Sequence, residues 1–184
     1  MASSTLENLR KLFLYYRTLG ERAMAQLSES QLMEQPSSES NNIAVIVKHL
    51  RGNMLSRWTD LLNSDGEKPW RNRDEEFEDT LKSKEVIFAA WEEGWNCLLS
   101  TLNELSDADL EHIIYIRNEG HTVLEAIHRQ LGHYSYHVGQ IVYLARLLKG
   151  EGWTSLSIPK GASKSYNAAK FGQDRQRRHF TDRV

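Results

Sequence analysis

Hydrophobic residues recur along most of this chain at steps of three and four, which is the period of an α-helix. The pattern predicts four long helices, over about 4–28, 42–63 and 80–105, and from Thr122 to Gly150. Pro36 and Pro69 lie in polar stretches that separate the first three helices, and Pro159 follows the last helix. Since each helix must bury one apolar stripe, the chain is predicted to be an all-α four-helix bundle, whose topology the pattern leaves open.

Local patterns mark the helix starts and one short strand. The candidate caps are Ser4 with Glu7, Thr122 with Glu125, and Asn41 or Asn42. Residues 111–117 are β-branched and aromatic enough for a short strand before the last helix, with a turn at 118–120. Residues 63–79 carry a glycine, a proline and many charges, and we interpret them as a connection outside the core.

Composition narrows the class of protein. With 40% hydrophobic and 26% charged residues in 184, the chain fits one globular domain that needs no disulfide or metal to hold its core. It contains no run of about 18 apolar residues, and its start lacks the order of a secretory signal. We therefore expect a cytoplasmic protein without a membrane partner. Cys97 has no second cysteine to pair with and is expected in the core.

The charge is distributed unevenly between the body of the chain and its C-terminus. Residues 160–184 carry a net charge of +5 and the rest −7, for a total of −2. This predicts a helical domain over 1–159, followed by a basic tail over 160–184 that is partly packed or flexible. The slightly acidic total gives no reason to expect a nucleic-acid partner.

Three of the seven histidines form a candidate metal site. His133 and His137 lie four residues apart in the last predicted helix, so they share one face at the edge of its apolar stripe. Such a pair alone is more often a hydrogen-bonded feature of a core. His49 lies at the edge of the stripe of the second helix, and three imidazoles with one open position are typical of a reactive divalent-metal site. The sequence therefore predicts metal ligation by these three.

Two further residues bear on this site. His121, just before the last helix, is an alternative ligand. Gln140 could hydrogen-bond the outer nitrogen of a ligand or a metal-bound water, and an ordinary amide at the core edge is the competing interpretation. The spacing His-Tyr-Ser-Tyr-His lacks the glutamate that follows the first histidine in HExxH proteases, which disfavours a metalloprotease.

His49 and the segment HYSYHVGQIVYLARLL at 133–148 resemble the DinB-like superfamily of bacterial metal-binding four-helix bundles, which includes the bacillithiol transferases. The resemblance covers most of the chain. Residues 65–78, 121–141 and 157–167 are similar to segments of one branch of that superfamily, a branch without an assigned activity.

The resemblance implies that His49, His133 and His137 hold a divalent metal such as Zn, Ni or Fe. It also implies an up-down-down-up bundle, in which the long link between the second and third helices is the crossover, and a homodimer. In the transferase relatives, the metal activates a low-molecular-weight thiol that attacks a small electrophile. The residues do not identify which thiol or which metal this chain would use.

The leading hypothesis is a metal-dependent thiol S-transferase in detoxification or stress response. A basic residue near the site would receive the carboxylates of the thiol, and the candidates are Arg71, Arg73 and Lys160. One alternative is a metal-dependent hydrolase, which needs a proton acceptor that no motif supplies, since Glu125 is expected to cap a helix. The other alternative is a non-catalytic, dimeric metal-binding module.

Overall fold

The computed structural model describes residues 4–183, and most of them are helical. Six α-helices occur in this range: α1 (Thr5–Ala25), α2 (Glu29–Leu32), α3 (Ile43–Trp58), α4 (Lys84–Glu104), α5 (Val123–Lys149) and α6 (Ser163–Phe171). Two strands, β1 (Ile113–Ile116) and β2 (Glu119–Thr122), form an antiparallel pair. The chain is thus mostly helical with a small sheet. The prediction of an all-α fold is correct for the helices, and the two-stranded sheet departs from it.

The predicted caps stand at the starts of α1, α3 and α5. They are Ser4, Asn42, and Thr122 with Glu125, the last two forming a reciprocal capping box. The second helix is shorter than predicted, because α3 ends at Trp58 and Asp60 adopts a φ of 49°, a left-handed conformation that cannot continue a helix. At the other end of α5, Gly150 has a φ of 58°, a positive value that favours glycine.

The hairpin contains one expected strand and one unexpected strand. β1 falls inside the predicted range 111–117, whereas β2 replaces most of the predicted turn. The turn itself is Arg117 and Asn118, whose φ values of 57° and 63° match the left-handed pair of a two-residue hairpin. Ile114 and Ile116 are buried, so the hairpin contributes side chains to the core.

The core is built from side chains of the four long helices. α1 packs along α5, and α3 packs along α4 and also contacts α5. α3 is buried on nearly every side, and even its polar residues His49, Asn53 and Arg57 are no more than 6% exposed. This arrangement places His49 inside the molecule, opposite α5.

The polar link between α3 and α4 lies outside the hydrophobic core, as interpreted for residues 63–79, but parts of it are unexpectedly buried. A 3-10 helix over Asp74–Phe77 packs against α3. Lys68 and Glu76 are 7% and 5% exposed, and the side chain of Arg71 is 2% exposed. Their burial was not apparent from the sequence because charged side chains cover one another here, which gives no apolar pattern.

The C-terminal segment combines an exposed helix with an end that contacts α1. α6 has no buried residue. Beyond it, Lys11 forms a salt bridge of 3.0 Å with Asp182, and the ring of Phe180 lies 5.2 Å from that of Tyr15. Within residues 4–183, no helix has the length and apolar character needed to cross a membrane.

Candidate metal centre

The three predicted histidines converge on one point between α3 and α5. Nε2 of His133 lies 3.3 Å from Nε2 of His49 and 3.1 Å from Nε2 of His137. One ligand atom from each residue lies within 4.8 Å of the other two. Nitrogen atoms on a tetrahedral zinc ion, at about 2.0–2.1 Å from it, are about 3.3 Å apart. The three side chains therefore have the donor atoms and the spacing that could hold a metal ion.

Hydrogen bonds to the outer nitrogen atoms orient two of the rings. Nδ1 of His49 lies 2.9 Å from a carboxylate oxygen of Glu76, and Nδ1 of His137 lies 2.7 Å from the amide oxygen of Gln140. Both oxygen atoms accept hydrogen bonds, so each Nδ1 donates, which in a neutral ring leaves the lone pair of Nε2 for the shared centre. Gln140 thus hydrogen-bonds the outer nitrogen of His137, which is one of the two interpretations given for it from the sequence.

Glu76 is a site residue that the sequence analysis did not identify. Arg71 donates to both of its carboxylate oxygens, at 2.7 and 3.0 Å, in a bidentate pair. Burial acts to raise the pKa of Glu76, but hydrogen bonds from His49 and Arg71 hold that pKa below its usual value. Glu76 stands in a run of acidic residues that looks like a solvated surface, and nothing in its spacing connects it to His49.

Two of the three imidazoles have lowered pKa values, which favours their neutral form. Burial, together with the neighbouring His137 and His49, lowers the pKa of His133 to about 3. Burial also lowers the pKa of His137. Neutral imidazole is the form that binds a metal ion, so no proton has to leave these two residues first.

A cavity of about 340 Å³ opens in front of the three histidines. Its lining includes five arginines: Arg57, Arg71, Arg73, Arg117 and Arg129. Asn53, Phe77 and Gln130 complete the wall, and none of the described lining residues is acidic. The structure therefore brings two of the predicted basic residues, Arg71 and Arg73, to the site, whereas Lys160 is not part of its wall.

Residues 1–162 match a family described as "Protein of unknown function (DUF1572)". The chain belongs to the DUF1572 family. No curated protein and no solved structure matches it. The part of this DUF1572 protein that matches the family includes the three histidines, Glu76 and the five arginines of the cavity.

Other candidate residues of this DUF1572 protein lie apart from the centre. His121, the alternative ligand, lies in β2 and is not in the histidine group. His128 is exposed on α5. Cys97 is half-buried on α4, where its sulfur lies 3.6 Å from the hydroxyl of Thr59 and burial raises the pKa of its thiol. These residues supply no further ligand or nucleophile to the cavity.

Proposed function

We propose that this DUF1572 protein is a divalent-metal-dependent thiol S-transferase of the DinB-like class, acting on small electrophiles in detoxification or stress response. The observation that carries the proposal is the group of three converging imidazoles at the base of a cationic cavity. Three protein ligands leave one position for a reactant, as in catalytic metal sites. The proposal includes an up-down-down-up arrangement of the long helices, with residues 59–83 as the crossover, and a homodimer.

The proposed chemistry uses each part of the centre. A divalent cation on the three imidazoles would lower the pKa of a thiol in the remaining position, so that thiolate forms at neutral pH. Glu76 and Gln140 would hold the rings of His49 and His137 in place. The sulfur forms a bond to a carbon of the electrophile, the leaving group departs with the bonding electron pair, and the thiol proton passes to solvent.

A hydrolase is less well suited to this cavity. Activation of water is aided by a group that accepts a proton, and the described residues of the wall include no carboxylate. Glu76 lies behind His49 and is engaged by Arg71. A thiol ionises far more readily than water and needs no such group, and the surrounding guanidinium groups favour the thiolate.

The proposal is tested first by metal content. Protein purified without a histidine tag or chelator should carry near one divalent metal ion per chain, and His133→Ala should carry none. His128→Ala removes an exposed histidine from the same helix and is the matched control. Circular dichroism of both variants would establish that they are folded.

Transfer is then measured with 1-chloro-2,4-dinitrobenzene and a panel of low-molecular-weight thiols. Wild type and His128→Ala should form the aryl thioether and release chloride faster than the uncatalysed reaction, and His133→Ala should not exceed the uncatalysed rate. Undiminished transfer by folded His133→Ala would refute the proposal. Turnover of esters without any thiol would instead identify a hydrolase, and bound metal without either activity would identify a binding module.

A further inference from the structure

We propose that the cavity in front of the three histidines holds the oxyanion group of a small substrate, and that Arg73 and Arg129 are its principal ligands. The inference deepens the proposed function, on which it rests for the identity of the bound molecule as a reactant. The binding of the anion itself is argued from the charge and hydrogen bonding of the cavity alone.

The inner part of the cavity has nearly balanced charge. Arg57 forms a salt bridge of 3.1 Å with Glu67, and Arg71 pairs with both Glu67 and Glu76. These two carboxylates face a total of five lining arginines. Five guanidinium groups against two carboxylates leave an excess of three positive charges, and this excess favours an anionic ligand.

The outer arginines carry the unbalanced charge. Among the described residues, no carboxylate lies within 4.0 Å of the guanidinium of Arg73 or Arg129. Arg73 lies over the ring of Phe77, 5.3 Å from its centroid, which keeps it beside the cavity. Arg117 is the third outer arginine and shares Glu67 at 3.1 Å. A guanidinium fork can donate two parallel hydrogen bonds to a phosphate or a carboxylate, so Arg73 and Arg129 are available to a ligand.

Two buried polar atoms on residues of the wall have no partner among the described residues. They are Nε of Arg57 and Oε1 of Gln130, on residues that are 6% and 3% exposed. Buried groups of this kind are nearly always hydrogen-bonded, and each exception calls for an explanation. Arg57 and Gln130 therefore bring one unpaired donor and one unpaired acceptor to the wall of the cavity.

Asn53 adds a donor of fixed orientation. The buried hydroxyl of Tyr134 donates to Oδ1 of Asn53 at 3.0 Å and accepts from Nε1 of Trp58, also at 3.0 Å. With its oxygen engaged in this way, the amide of Asn53 has its N–H groups left for the cavity that it lines. The wall thus combines charged and neutral donors around one space.

The size of the cavity limits the ligand. A volume of about 340 Å³ is near the lower end of the range of roughly 300–1,000 Å³ for small-molecule sites. We therefore infer a small molecule with a phosphate, phosphonate or carboxylate group. These groups share the chemistry that the arginines recognise, and a binding experiment distinguishes them by geometry and charge.

The test is calorimetric titration of metal-free protein at constant ionic strength with sodium phosphate, succinate and acetate. A dianion should bind more tightly than acetate, and the better of phosphate and succinate identifies a tetrahedral or a dicarboxylate ligand. Arg73→Ala/Arg129→Ala should weaken that binding by about tenfold or more, since charge-assisted hydrogen bonds are lost. Arg22→Ala/Arg146→Ala removes the same charge from exposed positions away from the cavity and should change it little.

Absence of dianion binding would overturn the inference. So would equal affinity in the two double variants, because it would assign binding to overall charge. The experiment uses no metal and no thiol, so its outcome is independent of the test of the proposed function. Failure of transfer leaves an anion site standing, and failure of anion binding leaves the metal centre standing.

Discussion

Gly52→Ala should weaken metal binding at the proposed three-histidine site by displacing Glu76. An added Cβ on Gly52 would lie 2.7 Å from Cδ of Glu76, closer than real Cβ contacts, so the carboxylate must move. Its hydrogen bonds to His49 and Arg71 are charge-assisted and contribute roughly 1.5–3 kcal/mol each. The higher helix propensity of alanine offsets about 1 kcal/mol of this loss in the free energy of unfolding. We expect a net loss of about 1–3 kcal/mol in the free energy of unfolding, and metal affinity lower by about 10–100-fold.

Gly139→Ala is the matched control, because a Cβ at that position of α5 meets no atom within 4 Å. It should gain up to about 1 kcal/mol in stability and leave metal affinity unchanged. Urea denaturation of the metal-free proteins measures the first quantity, and competition with a chelating dye for zinc measures the second. If Gly52→Ala behaves like Gly139→Ala in both assays, Glu76 does not position His49 and the argument for its role fails.

Three further predictions concern single side chains. Tyr134→Phe leaves the buried polar groups of Trp58 and Asn53 without a partner and should lower the urea-derived free energy of unfolding by about 1–3 kcal/mol. The pKa of His133 is lowered from 6.5 to about 3 in the folded protein. Between about pH 3 and 6.5, the unfolded chain therefore binds a proton at this residue that the folded chain does not bind. The metal-free protein should therefore lose stability as the pH falls from about 6.5 towards 3. Urea midpoints measured across that interval should depend less on pH in His133→Gln than in the wild type. Cys97, whose thiol pKa is raised by burial, should react slowly with iodoacetamide at pH 7, and Cys97→Ser should retain the proposed transfer.

The features predicted correctly from the sequence depend on local spacing. His133 and His137 meet because residues four apart on any helix share a face. His49 was predicted from its place at the edge of an apolar stripe, and packing α3 against α5 is enough to bring it to them. Caps such as Asn42 and Thr122 act within one turn, so they too could be recognised without knowledge of the fold.

The features that were missed depend on contacts between distant segments. Glu76 reaches His49 across 27 positions, and Arg57 is buried because Glu67 and the backbone oxygen of Gly66 accept its hydrogen bonds. Charged residues that are buried in pairs leave no apolar period to detect. β2 was missed for a related reason: its sequence, EGHT, has little strand propensity and is held by pairing with β1.

The polar link also connects the three histidines to the arginines. Arg71 donates to Glu76, which holds His49, and also to Glu67, which accepts from Arg57 and Arg117. If the proposed metal ion binds the imidazoles, its positive charge would favour an anion in the cavity, and an anion on the arginines would favour the metal ion. Since binding free energies couple reciprocally, metal and oxyanion should each raise the affinity for the other. A small reactant that carries both an oxyanion and a thiol would place the oxyanion on the arginines and the thiol at the proposed metal site. A neutral thiol would leave the charge of Arg73 and Arg129 unbalanced.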